Sequence, residues 1–452
     1  MRVMRKVFRG SVGTLLVFLL CLPPGLVATP AAAVTMEELE RQIQGLQKQL
    51  EELRQEQALQ AEAQQVAAIE REEALIEQIT PRFSVGGYAS LEFEDFDEGR
   101  TGGGSRGIFD QQRFIVNVSS IVHDRVRFYS EIEFEGVSLI SSPDEGQEDE
   151  TARSGELEVE QAYMDFLIAD WINVRAGALL MPFGRFNLLH DDNLRDLSDR
   201  PLVARRVIPT TWTDAGVGFF GEFTPTESSL VNYEVYVTNG LTQFLSSRGL
   251  RDARPSFRTD NNNNKTVVGR MGISPWPGQE VGVSGYFGKF DDQGDHALSG
   301  VAGDWTVRVG PLELIGEYAF FDVEDVAVFS TTFPRDLQGF YAQANLHFFP
   351  PFLKDTFLGR NFDSPTFTLV GRIGGADLDF PGTPGTFPGT IGAATGRDVD
   401  EERVTVGLNY RPVEAMVFKA EFQWNETNPG PGLTPLERGD AFGIITSMAL
   451  GF

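Results

Sequence analysis

The stretch from Met181 to Thr213, "MPFGRFNLLHDDNLRDLSDRPLVARRVIPTTWT", concentrates opposite charges: Arg185, Arg195, Arg200, Arg205 and Arg206 beside Asp191, Asp192, Asp196 and Asp199. A guanidinium presents a planar fork of donors that matches phosphate or carboxylate in pairs. Clustered, such groups attract anions; set against a row of aspartates, they give a transverse field with little net preference. Catalytic chemistry finds less material. His123, His190, His296 and His347 are scattered, with no His-x-x-x-His or zinc spacing. "HDD" at 190–192 is the one local polar group containing a histidine, and an ion-paired loop explains it. "EDFDEGRTGGG" has Arg100 where a calcium loop needs glycine, and it lacks the bidentate glutamate. No enzyme activity, metal or cofactor is expected.

The chain of 452 residues carries a net charge of −27, which argues against nucleic acid as a partner because phosphate would be repelled. "MRVMRKVFRG", basic and without acids, precedes the apolar "SVGTLLVFLLCL" and the small residues of "ATPAAAV". That order predicts a secretory signal over 1–33, too short in its apolar run to span a bilayer. The only cysteine, Cys21, falls inside it, so neither disulfides nor thiol catalysis are expected beyond.

Residues 36–79 have helical character: Met36, Leu39, Ile43, Leu46, Leu50 and Leu53 alternate spacings of three and four, a heptad seam. The narrow stripe predicts a coiled coil, on the order of 60 Å long at ~1.5 Å per residue if unbroken.

After Pro81 the period falls to two. Phe83, Val85, Gly87, Ala89, Leu91 and Phe93 share one face against Tyr88, Ser90, Glu92 and Glu94. Sixteen candidate strands follow, near 83–93, 110–120, 126–135, 157–167, 172–180, 215–223, 230–238, 266–274, 280–289, 300–309, 312–321, 338–348, 366–376, 403–411, 415–424 and 441–452. Their connections alternate between short, proline-rich turns such as "PWPGQ" and "GP" and long polar loops such as "TNGLTQFLSSRGLRDARPSFRTDNNNN". "FPPFLKDTFLGRNFDSP" is the long exception among the turns.

Turns on one side and long loops on the other define an outer-membrane barrel, the closed form a sheet must take in lipid. The final "GIITSMALGF" reads as the closing strand, with Phe442, Ile444, Met448, Leu450 and Phe452 toward lipid. Alternation sends Arg113, Arg127, Arg175, Arg270, Arg308 and Arg372 to the lumen, with Glu131, Glu133, Asp165, Asp304, Glu317 and Glu421 among the acids. Each such charge facing lipid would cost about 2–4 kcal/mol at the midplane, so the interior is expected to be wet. On the fourth strand, placing Ala162, Met164 and Phe166 outward turns Glu158 and Glu160 outward as well.

Residues 158–240, through "EQAYMDF", "NVRAGALLMPFGRFNLL", "DRPLVARRVIPTTWTDAGVGFFGEF" and "NYEVYVTNG", resemble the phosphate-selective porin O/P family. The resemblance implies a 16-stranded antiparallel barrel over 83–452, a homotrimer in the outer membrane, and passive diffusion of small solutes, often anions such as phosphate or carboxylates. It also implies that the third long loop, 181–213, folds inward as a constriction, carrying Arg195, Arg200, Arg205, Arg206, Asp192 and Asp196. Outer-membrane lipid and lipopolysaccharide would surround the barrel, with the coiled coil in the periplasm. A structural or adhesive protein tethering the cell wall through the coiled coil is the competing reading. Barrel size separates the two, since about eight strands suffice for an anchor and sixteen leave an aqueous channel.

Overall fold

Two-residue alternation makes strands because successive side chains point to opposite faces of an extended chain. A computed structural model describes residues 82–97, 107–136, 156–244, 249–258, 260–324, 334–380, 397–429 and 441–452. The predicted signal segment and coiled coil lie outside these residues. Eight strands form the first half: β1 Phe83–Asp97, β2 Ile108–His123, β3 Val126–Glu135, β4 Glu156–Ala169, β5 Ile172–Leu180, β6 Thr213–Phe223, β7 Leu230–Thr238 and β8 Thr266–Ser274. The second half holds β9 Gln279–Lys289, β10 Ala297–Val309, β11 Leu312–Val323, β12 Asp336–Phe348, β13 Thr366–Phe380, β14 Arg397–Val413, β15 Met416–Pro429 and β16 Ala441–Gly451. All pair antiparallel in chain order, and β16 pairs with β1, which closes the barrel. At the seam Gly87 N–H donates to the Phe452 carbonyl at 3.1 Å and Phe452 N–H to that of Gly87 at 2.9 Å.

The two faces differ in chemistry as the alternation requires. Val404, Val406 and Leu408 of β14 point out and are exposed, whereas Arg403, Thr405 and Asn409 point in and are buried. On β16 Phe442, Ile444, Met448 and Leu450 point out; Ala441, Ile445 and Ala449 point in. Trp171, Trp276, Phe348 and Phe352 are exposed at the turn end, where interfacial aromatics gather in such barrels. Among the described residues no helix is long and apolar enough to cross a membrane. Among the described residues the closed sheet is the element that could cross, with backbone groups paired strand to strand.

Two details differ from expectation. β13, β14 and β15 run several residues further at the loop end than the apolar pattern indicates. There the outward positions are polar, Asp377 opposite Asp400 and Glu402 opposite Glu426, so the wall continues past its apolar belt. On β4 the expected outward placement of Glu158 and Glu160 is corrected by a bulge. Glu131 pairs with Gln161 while Ile132 pairs with Val159, leaving Glu160 as the extra residue. The bulge shifts phase by one: Leu157 and Val159 are exposed, and Glu160 is buried on the lumen side.

Candidate functional site

The β5–β6 connection, 181–212, contains two short helices, α1 Arg185–Leu188 and α2 Leu202–Arg206. Thr213, expected in the loop, already belongs to β6. Asn187 fastens the connection to itself. Its amide donates to the carbonyls of Met181 and Trp212 at 2.8 and 3.2 Å, and its oxygen accepts Trp212 N–H at 2.9 Å. Phe183 and Trp212 then pack on the wall, with ring centres 4.8 Å apart for Phe183–Phe321 and 5.1 Å for Trp212–Tyr286. These side chains are almost wholly buried, and a buried aromatic contributes a few kcal/mol by area removed from water.

Two wall carboxylates hold the backbone of the connection. Glu317 of β11 accepts the N–H groups of Arg185 and Phe186 at 2.7 and 2.8 Å. Glu421 of β15 accepts those of Ser198 and Asp199 at 3.1 and 3.2 Å. Between these points the chain bonds to further strands. Ser90 of β1 donates to Asp192 at 2.7 Å, Lys419 of β15 to the Asp192 carbonyl at 2.7 Å, and Asn345 of β12 to Asp196 at 2.8 Å. Hydrogen bonds and ion pairs thus tie 181–212 to β1, β4, β9 and β11–β16. Among the described residues none goes to β2, β3 or β7. From the connection after β7, Arg254 donates to the Thr211 carbonyl at 2.5 Å.

The arginines of the connection are engaged by oxygens of the protein. Arg206 lies bidentate on Glu401 of β14 at 2.8 and 3.0 Å, Arg205 meets Asp199 at 2.7 Å, and Arg195 pairs with Asp192. Arg200 donates to the Thr210 carbonyl at 2.7 Å. Burial, followed by the nearby Arg113 guanidinium, pushes Arg195 down to about 10, which leaves it charged at neutral pH. Burial also drives Arg200 well below its ordinary value. Arg195, Arg200 and Arg206 are buried, whereas Arg185 and Arg205 remain about a quarter exposed.

The wall arginines fall into two groups. Arg113 pairs with Glu133 at 2.9 Å and Glu160 at 4.0 Å. Arg175 pairs with Asp165 at 2.7 Å, its guanidinium 4.1 Å from the Tyr163 ring centre. Arg270 holds Asp304 and Glu280, each at 2.6 Å. Arg372 donates to the Asp199 carbonyl at 2.7 Å. Arg127 and Arg308, near the turn ends of β3 and β10, are exposed on the inward face. Sequence reading assigned no positioning role to Glu317, Glu421 or Asn187, since their partners are backbone groups that no motif marks.

A closed sixteen-stranded antiparallel barrel, apolar outside and charged within, is the fold of outer-membrane porins. OmpF of Salmonella typhi, solved in complex with daunomycin, superposes with a TM-score of 0.51 at 12% identity, over 82% of this chain and 97% of that one. The anion-selective porin from Comamonas acidovorans gives a TM-score of 0.49 at 10% identity, over 82% of this chain and 99% of that one. No family model matches the chain. An uncharacterized protein of Aquifex aeolicus (strain VF5) is 25% identical over 376 residues, 76% of each chain.

Proposed function

We propose that the chain is an outer-membrane porin that lets small hydrophilic solutes diffuse passively through its barrel. The observation that carries this reading is the two-faced wall: an apolar belt that requires lipid around a lumen lined with paired charges. Sixteen strands enclose more space than their own side chains fill, and the connection 181–212 narrows it. A homotrimer, surrounding lipid and lipopolysaccharide, and a coiled coil at 36–79 in the periplasm complete the proposal, supported by the family resemblance and the heptad seam.

We also place the chain near the phosphate-selective porin O/P family in the build of this connection. The residues that carry the resemblance are builders: Gly184 beside Glu317, Arg200 on Thr210, Trp212 on Asn187, and Asp214, which accepts Gly240 N–H at 2.6 Å. They support a shared loop fold, and they are not free anion ligands. An anion preference through Arg195, Arg200, Arg205 and Arg206 would rest chiefly on Arg205, the most exposed of the four.

Adding purified full-length protein to a planar bilayer tests the pore. Stepwise currents at fixed voltage are the expected result; insertion without current would refute it.

A further inference from the structure

Between Asn187 and Asp192 the lumen connection bonds to the wall through one side chain among the described residues, that of His190. The imidazole and the Glu160 carboxyl group of β4 that faces it are both almost wholly buried. Nδ1 lies 2.9 Å from the Asn187 carbonyl, and Nε2 lies 3.4 Å from Glu160 Oε2 and 3.8 Å from Asp191 Oδ1. A carbonyl can only accept, so Nδ1 carries a hydrogen and donates it. Nε2 then presents a lone pair unless a second proton is there, and a lone pair set against a carboxylate repels it. The contact with Glu160 therefore needs one proton in the pair, held either as the second N–H of the imidazole or on the carboxyl group.

The charged and titratable groups around the pair do not replace that proton. Arg113 of β2 stands 2.9 Å from Glu133 of β3 and 4.0 Å from Glu160. Glu131 of β3 accepts from Gln161 at 2.7 Å and from the Tyr129 hydroxyl at 3.4 Å. Tyr88 of β1 borders Arg113, Asp191 and Glu160. Each of these groups leaves Nε2 without a donor. The residues that follow are fastened independently: Asp192 to Ser90 of β1 and Lys419 of β15, each at 2.7 Å, and the Asn193 carbonyl to Arg411 of β14 at 2.8 Å. Losing the His190 contact thus frees 188–191 and leaves the rest of the connection seated.

We propose that His190 and Glu160 form a proton-dependent latch, closed while the pair holds a proton and released when rising pH removes it. The latch stands on the contact geometry, and its effect on current rests on the porin reading. The test is amide hydrogen exchange of the full-length folded protein at about pH 5 and about pH 9, on either side of the ordinary histidine range. The reporters are Leu189, Leu194 and Arg195, whose N–H groups bond to the carbonyls of Arg185, Phe186 and Asp191. After correction for intrinsic exchange, wild type is protected at the acid pH and exchanges about tenfold faster at the alkaline one, the worth of a hydrogen bond to a charged group. His190→Gln, whose amide donates to Glu160 without titrating, keeps the protection at both pH values. His190→Leu loses it at both. A purely structural histidine predicts no such split between pH values and variants.

Open-channel current noise in a planar bilayer follows the same order, rising wherever 188–191 comes free in the lumen that the connection narrows. Wild-type protection that is equal at the two pH values, or a His190→Gln that still responds to pH, overturns the latch. Should His190→Leu fail to fold, wild type against His190→Gln decides alone. Exchange as expected with noise that ignores pH keeps the latch and overturns its effect on current. Exchange as expected in a bilayer that stays silent keeps the latch and overturns the porin reading.

Discussion

Arg403 of β14 and Asp199 of the lumen connection meet at 2.7 Å, both almost wholly buried. Asp199 also takes Arg205 at 2.7 Å, Gln423 at 3.1 Å and the Arg200 N–H at 2.8 Å. One carboxylate therefore joins two strands to the turn before α2. Removing one partner of a buried ion pair costs about 3–5 kcal/mol, because the remaining charge keeps its desolvation penalty. Asp199→Asn is expected to lower the temperature at which the folded barrel loses its compact mobility on SDS gels. It should also raise open-channel current noise as the connection loosens. A variant with the same transition and a quiet current would show that this carboxylate does not secure the connection.

Glu317 supports the other end. Glu317→Ala leaves the buried N–H groups of Arg185 and Phe186 without their acceptor, at about 1–3 kcal/mol each. Glu317→Gln retains one acceptor oxygen and is expected to fall between wild type and alanine. Amide hydrogen exchange at 185 and 186 reads this directly: protection drops in the order wild type, glutamine, alanine. Equal protection in all three would assign the hold to the Phe183–Trp212 packing instead.

Much of the fold could be read from the chain because a lipid-facing wall demands strict alternation, and from β1 to β16 each candidate strand has a counterpart. Strand ends were less legible where Asp377, Asp400, Glu402 and Glu426 replace apolar outward residues, since an acidic outward position looks like loop. The β4 bulge left no trace either, because one inserted residue alters phase without altering composition. In the connection, charge clustering was visible but its use was not. Arg206 finds Glu401 across 195 residues of sequence, and no local spacing encodes such a partner. The arginines therefore read as available donors when each is engaged by an oxygen of the protein, Arg185 and Arg206 on the barrel wall and Arg195, Arg200 and Arg205 within the connection itself.

Gly184 tests how tightly the connection is seated. Its φ of 72° lies in the left-handed region, and a Cβ there would sit 2.7 Å from Glu317 Oε1 and 2.9 Å from Ile208 Cδ1. Gly184→Ala combines a backbone penalty of roughly 1–3 kcal/mol, since φ 72° with ψ 163° is open essentially to glycine alone, with displacement of the carboxylate that holds α1. Its thermal transition on SDS gels should fall. Combined with Glu317→Ala, the loss should be smaller than the sum of the two, because the second substitution removes the group the methyl strikes. Strict additivity would place the damage elsewhere.

The two faces of the wall make the last prediction. Val283 of β9 is 60% exposed on the outer surface, while Thr306 of β10 stands on the inner surface in register with Glu280. An arginine at position 283 must be buried in hydrocarbon or distort the bilayer, which costs about 2–4 kcal/mol near the midplane. A lysine at position 306 stays on the inner surface beside Glu280, which already holds Arg270, and costs less there than a charge in hydrocarbon. Val283→Arg should reduce the fraction of protein that folds into detergent micelles or vesicles, and Thr306→Lys should leave it near wild type while shifting the reversal potential toward anions. If both variants fold equally well, the outer surface is not in lipid and the barrel does not span a membrane.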